Sequence, residues 1–252
     1  MIKFFRKIRQ RLLDDNKFSK YFFYAVGEII LVVIGILIAL QINNWNENRI
    51  KTIKETKILN TLLKDLKQAQ LTSKTTIDVE NDHLKSYELI LGDKTKHEQL
   101  IKHPKVDSIF HEVIFNLSSQ VPVIYAYTDL KNAGETNLIS NEIIRNNLTL
   151  LEISIIDLNK QIDDRLDVQQ INIDNFAIEE INFVRTLKAL KNSYNINYGP
   201  ENDYNKLLQN QKFLNAIAVK LSLTDDALIN RISLLKEIKD LGELIEKELT
   251  ND

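Results

Sequence analysis

One apolar run in this sequence is long enough to cross a lipid bilayer: YFFYAVGEIILVVIGILIALQI, from Tyr21 to Ile42. Glu28 is its only charged residue. Because an α-helix rises about 1.5 Å per residue and a bilayer core is roughly 30 Å thick, about 20 residues suffice to cross it. We therefore predict a basic cytoplasmic tail at residues 1–20, a transmembrane helix at 21–42, and a helical domain at 43–252.

The charges that flank the run predict its orientation. Seven Lys and Arg residues lie within residues 1–20, against four in the 20 residues after Ile42. Since positive residues favour the cytoplasmic side, we expect the N-terminus inside and the C-terminal domain outside. The run is longer than the apolar region of a cleaved signal peptide and has no small-x-small site, so it is predicted to be a signal-anchor. Interfacial anchors are expected at Tyr21, Tyr24 and Trp45.

The basic tail allows two interpretations. Ile2, Phe5, Ile8 and Leu12 lie near one face of a helix, with basic residues around the rest. That pattern is typical of an amphipathic helix on an anionic membrane surface, which makes the lipid bilayer a predicted partner. The alternative is an unstructured positive flank that only sets topology.

Glu28, Gly35 and Ala39 share one face of the predicted transmembrane helix. Small residues four apart let a second helix approach closely, and a nearby carboxyl group can form a hydrogen bond across the contact. The face therefore predicts contact with a copy of the chain or with another membrane or periplasmic protein. The alternative is that Glu28 reaches the headgroups and the small residues are incidental.

The composition indicates an all-α protein and excludes several classes. The formal net charge is −2, so no overall field attracts nucleic acid, and nucleic-acid partners are not expected. There is no cysteine, which excludes disulfides, thiol catalysis and thiolate metal sites. Only six Gly and three Pro interrupt the chain.

Apolar residues at helical spacing predict a stalk helix continuing from the membrane, followed by an antiparallel bundle. The first stripe, Leu59 to Ala69, lapses between Gln70 and Thr76 and resumes at Ile77. Gly92-Asp93 is expected to end this helix and Gly134 a later one. From a start at Ser140 or Asn141, a coiled-coil-like stripe follows: Ile144, Leu148, Leu151, Ile155, Leu158 and Ile162.

Helix boundaries are less clear from the sequence in the second half of the chain. The pattern leaves open whether the chain breaks between Gln169 and Asn175. Asn192–Pro200 is predicted to be a loop, and Thr224 an N-cap that starts the last helix.

The run GEIILVVIGILIALQINNWNENR (Gly27–Arg49), with the basic FFRKIRQRLL before it, resembles the N-terminus of a family of uncharacterised single-span membrane proteins abundant in Bacteroidetes-type bacteria. YTDLKNAGETNLISNEIIRNNL (Tyr127–Leu148) resembles a second segment that recurs in this family. The resemblance implies an inner-membrane protein of a Gram-negative cell and supplies no activity.

The one weak metal-site candidate is His103, Asp107 and His111, spaced four residues apart. Pro104 weakens it, and the alternative is an ordinary solvent-exposed pair of Asp107 and His111. His83 and His97 are expected to be isolated and exposed. The polar turn at Asn132–Gly134 is either a binding loop or a simple helix boundary.

No phosphate-binding glycine loop, zinc-protease motif or nucleophile–base arrangement occurs in the sequence. We therefore expect no enzymatic activity and no cofactor. The sequence favours an interaction or scaffold protein with a periplasmic helical bundle. The alternative is an extracytoplasmic ligand-sensing bundle that signals through a partner membrane protein, with a polar pocket between its helices.

Overall fold

The computed structural model describes residues 18–190 and 195–251. Among these residues there are helices and no strands, which confirms the all-α prediction. The helices are α1 (Phe18–Ile90), α2 (Lys94–Ile101), α3 (Val106–Phe115), α4 (Tyr125–Ala133), α5 (Glu142–Val168), α6 (Asn175–Glu180), α7 (Phe183–Leu190), α8 (Tyr204–Leu208) and α9 (Gln211–Asn251). A 3₁₀ turn spans Thr136–Leu138, and a π-helical segment spans Gln169–Asp174.

The chain divides into two compact units, Met1–Thr56 and Lys57–Asp252. In the first unit, α1 contains the predicted span, and every residue from Gly27 to Lys54 is exposed. This part of α1 is long and apolar enough to cross a membrane. The domain boundaries after residues 20 and 42 stay predictions, and residues 1–17 of the predicted tail lie outside the described residues.

In the second unit, α1 buries one continuous stripe. Its buried positions alternate at spacings of three and four: Leu59, Leu62, Leu66, Ala69, Ser73, Thr76, Glu80, His83, Tyr87 and Ile90. This is the periodicity of a helix packed along its length. The lapse predicted between Gln70 and Thr76 is a change from apolar to polar side chains, and the burial itself continues.

Two apolar clusters form the core of this unit. The first joins α1 around Leu62 to α4, α5 and the C-terminal half of α9. The second joins the end of α1 to α3, α6, α8 and the N-terminal part of α9, and contains Phe110 and Phe213. The polar stretch of the α1 stripe, Ser73 to His83, falls between the two.

Ion pairs and hydrogen bonds between the long helices show their relative directions. Lys67 Nζ of α1 lies 2.8 Å from Glu246 Oε1 of α9, whereas Glu80 lies beside Arg231, so α1 and α9 are antiparallel. α5 and α9 are also antiparallel, because Asn141 and Gln161 bond Glu248 and Asn230 respectively. Within the second unit α1 and α5 are therefore parallel.

Local signals placed several helix ends correctly. Gly134 adopts a left-handed conformation after α4, with φ 70°. The Asn141 side chain caps α5 by accepting from the backbone N–H groups of Ile143 and Ile144. α1 ends at Ile90, as predicted from Gly92-Asp93, and Asp93 caps α2.

The structure answers two further questions in the second half of the chain. The chain does not break between Gln169 and Asn175, because α5 passes through the π-helical segment into α6. The prediction that Thr224 starts the last helix is wrong. Thr224 is buried in the interior of α9, where its hydroxyl bonds Arg165 of α5.

Candidate functional site

Glu80 is the centre of a buried polar cluster in the second unit. Arg165 of α5 donates from Nη1 to Glu80 Oε1 at 2.8 Å and from Nη2 to Oε2 at 3.1 Å. This paired geometry gives two parallel charge-assisted hydrogen bonds. The same Nη2 donates to Thr224 Oγ1 of α9 at 3.0 Å. Glu80 thus links three helices, α1, α5 and α9.

The Glu80 carboxylate keeps its charge in this interior. Burial alone would raise its pKa, because it removes the charged form from water. The neighbouring His83 side chain, the hydrogen bonds from Arg165, and the charges of Arg165 and Arg231 outweigh burial and lower the pKa of Glu80 to about 2. Glu80 is therefore an anion at neutral pH.

Arg231 of α9 joins the same carboxylate to the extended segment between α3 and α4. Its Nε lies 3.3 Å from Glu80 Oε1. Its Nη1 donates to the carbonyl oxygen of Gln120 at 2.6 Å, and its Nη2 to that of Ser118 at 3.3 Å. Ser118 is half-buried and Gln120 is exposed, and Arg231 supplies donors to the backbone carbonyl groups of this irregular segment, which has no helical hydrogen bonds of its own.

Lys220 of α9 caps the C-terminal end of α3. Its Nζ donates to the carbonyl oxygens of Val113, Ile114 and Asn116 at 2.8, 3.0 and 3.1 Å. The last carbonyl groups of a helix have no partner within it, and a cation is favourable at that end. Burial lowers the pKa of Lys220 to about 7.

His83 and Tyr87 border the cluster on α1. His83 Nε2 lies 3.4 Å from Glu112 Oε1, and its Nδ1 lies 3.6 Å from Glu80 Oε2. Burial raises the pKa of Tyr87 to about 12. His83 is buried, so the prediction that it is isolated and exposed is wrong. His97 is half-buried and lies 2.8 Å from the carbonyl oxygen of Ile90.

The cluster has the chemistry of a structural network. Its charged side chains point to one another or to backbone carbonyl groups. The adjoining cavity, lined by Arg165, Gln169 and Lys220 among others, has a volume of about 10 Å³. That is space for about one water molecule. What the arrangement can do is hold α1, α5, α9 and the end of α3 in fixed register.

The predicted membrane contact face lies in the other unit. Glu28, Gly35 and Ala39 are exposed on α1, and a Cβ added at Gly35 would meet nothing within 4 Å. Of the predicted interfacial anchors, Trp45 is exposed and Arg49 Cζ lies 5.9 Å from its ring centre. The side chains of Tyr21 and Tyr24 lie outside the described residues.

The metal-site candidates have other partners. Asp107 Oδ1 accepts from the Tyr204 hydroxyl at 2.6 Å, and His103 Nδ1 accepts from the backbone N–H of Lys105 at 3.2 Å. His111 lies 3.2 Å from Thr186 Oγ1 and is buried, so the alternative of an ordinary solvent-exposed pair is wrong. Within the described part of the chain, no three His, Asp or Glu side chains are grouped to hold a metal ion.

The polar turn at Asn132–Gly134 lies close to a surface cleft. The cleft has a volume of about 360 Å³ and is lined by residues of α4, the 3₁₀ turn and α5, including Tyr127, Lys131, Thr136, Arg145 and Glu152. Lys131 Nζ donates to both Glu152 carboxylate oxygens at 2.7 Å. The turn itself ends α4.

Comparison with known families gives a match over most of the chain. Residues 28–196 match the family of unknown function DUF6090. The chain belongs to this family. No curated protein and no solved structure matches it. The matched region includes the contact-face residues Glu28, Gly35 and Ala39 and the buried pair Glu80 and Arg165, whereas Lys220, Thr224 and Arg231 of the buried cluster lie beyond it. Because the family is one of unknown function, membership adds no activity.

The buried polar cluster is not among the features predicted from the sequence. Glu80, Arg165 and Arg231 each look like surface residues in a sequence rich in charges. One signal could have identified Glu80: the spacing of three and four continues from Leu59 to Ile90 through Ser73, Thr76, Glu80 and His83. A charged residue at a core position of a regular stripe predicts a buried partner.

Proposed function

We propose that this protein is a single-span inner-membrane protein whose helical domain makes non-enzymatic protein–protein contacts in the periplasm. The observation that carries this proposal is the exposed apolar surface of α1. Ile29, Leu31, Val32, Ile34, Ile36, Leu37, Ile38 and Leu40 are all about half exposed or more. They point in every direction around the helix, and a lipid bilayer covers a helix on all sides.

The orientation rests on the charge difference across the span. Seven basic residues precede it within 20 positions and four follow it. Cytoplasmic flanks carry the excess of Lys and Arg, which supports a periplasmic location for the second unit.

A non-enzymatic role is supported by the pairing within the buried cluster. The terminal nitrogens of Arg165, Arg231 and Lys220 donate to Glu80, Thr224 and backbone carbonyl groups of the same chain. A catalytic group needs access to a substrate, whereas these side chains are buried. Their pairing favours a rigid domain that presents surfaces to partners.

The proposed contact within the membrane is the face of Glu28, Gly35 and Ala39. The open space at Gly35 allows another helix backbone to approach closely. Glu28 lies on the same face, where its carboxyl group can form a hydrogen bond to the neighbouring helix.

Crosslinking in native membranes tests this contact. The double substitution Gly35→Ile and Ala39→Ile fills the face and should reduce crosslinking of the protein to its partner. Gly27→Ile is the matched control, because Gly27 is equally open but points about 100° away around the helix. Crosslinking that is unchanged in the double variant, or reduced equally in the control, would contradict the contact face.

The cleft between α4, the 3₁₀ turn and α5 favours a second candidate, an extracytoplasmic ligand-sensing bundle. Its lining combines the hydroxyl groups of Tyr127, Thr136 and Thr149 and the amide of Asn146 with charged side chains, which suits a small polar ligand. Thermal shift of the purified protein against a panel of small polar metabolites tests it. Stabilisation that is lost in Lys131→Ala would support sensing, and no stabilisation by any compound would exclude it for that panel.

A further inference from the structure

The outward side of α5 carries an apolar face that no described residue of the chain covers. It consists of Ile143, Asn146, Leu150 and Ile153, spaced three, four and three residues apart, with Ile156 beside it; we call it the α5 outer face. Ile143, Leu150, Ile153 and Ile156 are 61%, 59%, 50% and 57% exposed. α5 is therefore apolar on two opposite sides, and only one faces the bundle core.

The α5 outer face offers no charge to a partner. Residues 143–156 contain only two charged side chains, Arg145 and Glu152. Arg145 donates to the carbonyl oxygens of Ile139 and Ser140, at 2.5 and 2.9 Å from Nη1. Glu152 is paired with Lys131. The α5 outer face has no charge that could pair with a charged partner, whereas a second uncharged apolar face is complementary to it.

The size of the face limits the kind of partner. Its four apolar side chains expose on the order of 400 Å², about half of the roughly 800 Å² per partner that a stable soluble complex buries. A contact of this size is sufficient when the partner is already confined close by, because confinement raises the effective concentration. Another chain anchored in the same membrane meets that condition.

We propose that the α5 outer face pairs with the same face of a second copy of this chain, in parallel and in register. This inference rests on the membrane anchoring proposed above. Within the second unit, α1 and α5 are parallel, as their shared antiparallel contacts with α9 require. A parallel α5 pair therefore places Lys57 of both copies at the same end, as two chains leaving one membrane require.

Asn146 specifies this arrangement further. In a parallel pair each residue of the face meets its own copy, so Asn146 meets Asn146. A carboxamide group is both donor and acceptor, which makes two such groups complementary, and a single Asn at a core position fixes register and chain number. Asp157, the next position of the stripe, would face its own copy, and this like-charge pair ends the contact.

The absence of cysteine from the sequence permits a clean test in the full-length, membrane-embedded protein. Leu150→Cys and Ile153→Cys are each oxidised mildly in native membranes, and disulfide-linked dimers are measured. Leu71→Cys is the matched control: it replaces the same residue type at the same 59% exposure, but on α1. Retention in carbonate-washed membranes is checked for every variant.

Both Leu150→Cys and Ile153→Cys should form dimers several-fold more than Leu71→Cys, because facing core positions bring the two cysteines within disulfide distance. Adding Ile143→Glu to Leu150→Cys should reduce the dimer to the control level. Equal dimer in all three single-cysteine variants, a dimer in only one of the two α5 variants, or a crosslink to a different protein would overturn the proposal. Loss of the protein from washed membranes would instead contradict the anchoring on which it rests.

Discussion

Arg165 donates two hydrogen bonds, of 2.8 and 3.1 Å, to the two carboxylate oxygens of Glu80, and both side chains are almost wholly buried. The two residues are 85 positions apart on α1 and α5. The pair therefore joins α1 to α5 within the second unit.

Glu80→Gln should destabilise the domain by about 3–5 kcal/mol, because it leaves the buried guanidinium groups of Arg165 and Arg231 without a counter-charge. Glu88→Gln is the matched control, an exposed residue on the same helix, and should change stability by less than about 0.5 kcal/mol. Urea unfolding of the full chain in detergent, followed by circular dichroism, measures both. Equal stability of the two variants would show that the pair contributes little.

The same carboxylate predicts an acid-sensitive fold. The pKa of Glu80 is about 2 in the folded protein, against 4.5 when unfolded. A lowered acid pKa gives stability that is fully present above pH 4.5 and is lost as the pH falls towards 2. Unfolding free energies measured from pH 6 to 2 should decline over this window, with a contribution from Glu80 on the order of 3 kcal/mol. In Glu80→Gln this contribution should be absent, and a decline as steep as the wild type would contradict the assignment.

Two glycines should respond to alanine with opposite signs. Gly134 has φ +70°, so Gly134→Ala should destabilise the protein by about 1 kcal/mol. Gly242 lies within α9, where an added Cβ would make ordinary contacts at 3.6 Å with Gln70 and 4.0 Å with Leu63. Gly242→Ala should therefore stabilise it by about 0.5–1 kcal/mol. Thermal unfolding of both variants beside the wild type measures the direction of each change in stability. A change in the same direction in both variants would contradict the prediction that the backbone angle decides the effect of alanine.

Features set by neighbouring residues could be predicted from the sequence. The stripe from Ile144 to Ile162 follows from spacing alone, the Asn141 cap from the carboxamide before it, and the end of α4 from Gly134. Each depends on residues within about one or two helical turns, so the pattern contains the necessary information.

Features set by distant partners could not be predicted. Thr224 has the sequence context of an N-cap, yet its hydroxyl bonds Arg165, 59 residues away. His83 and His111 look like surface histidines until packing brings Glu112 and Thr186 beside them. The Glu80 cluster depends on which helices become neighbours, and helical periodicity identifies a buried face without identifying what covers it.

Site-specific labelling in spheroplasts tests the central claim, a single membrane span with the helical domain outside. Since the chain has no cysteine, Glu98→Cys in the domain and Gln10→Cys in the tail each provide one reactive thiol. A membrane-impermeant maleimide should label Glu98→Cys in intact spheroplasts and Gln10→Cys only after lysis. Labelling of Gln10→Cys alone before lysis would reverse the orientation, and recovery of the protein in the soluble fraction would contradict the membrane span.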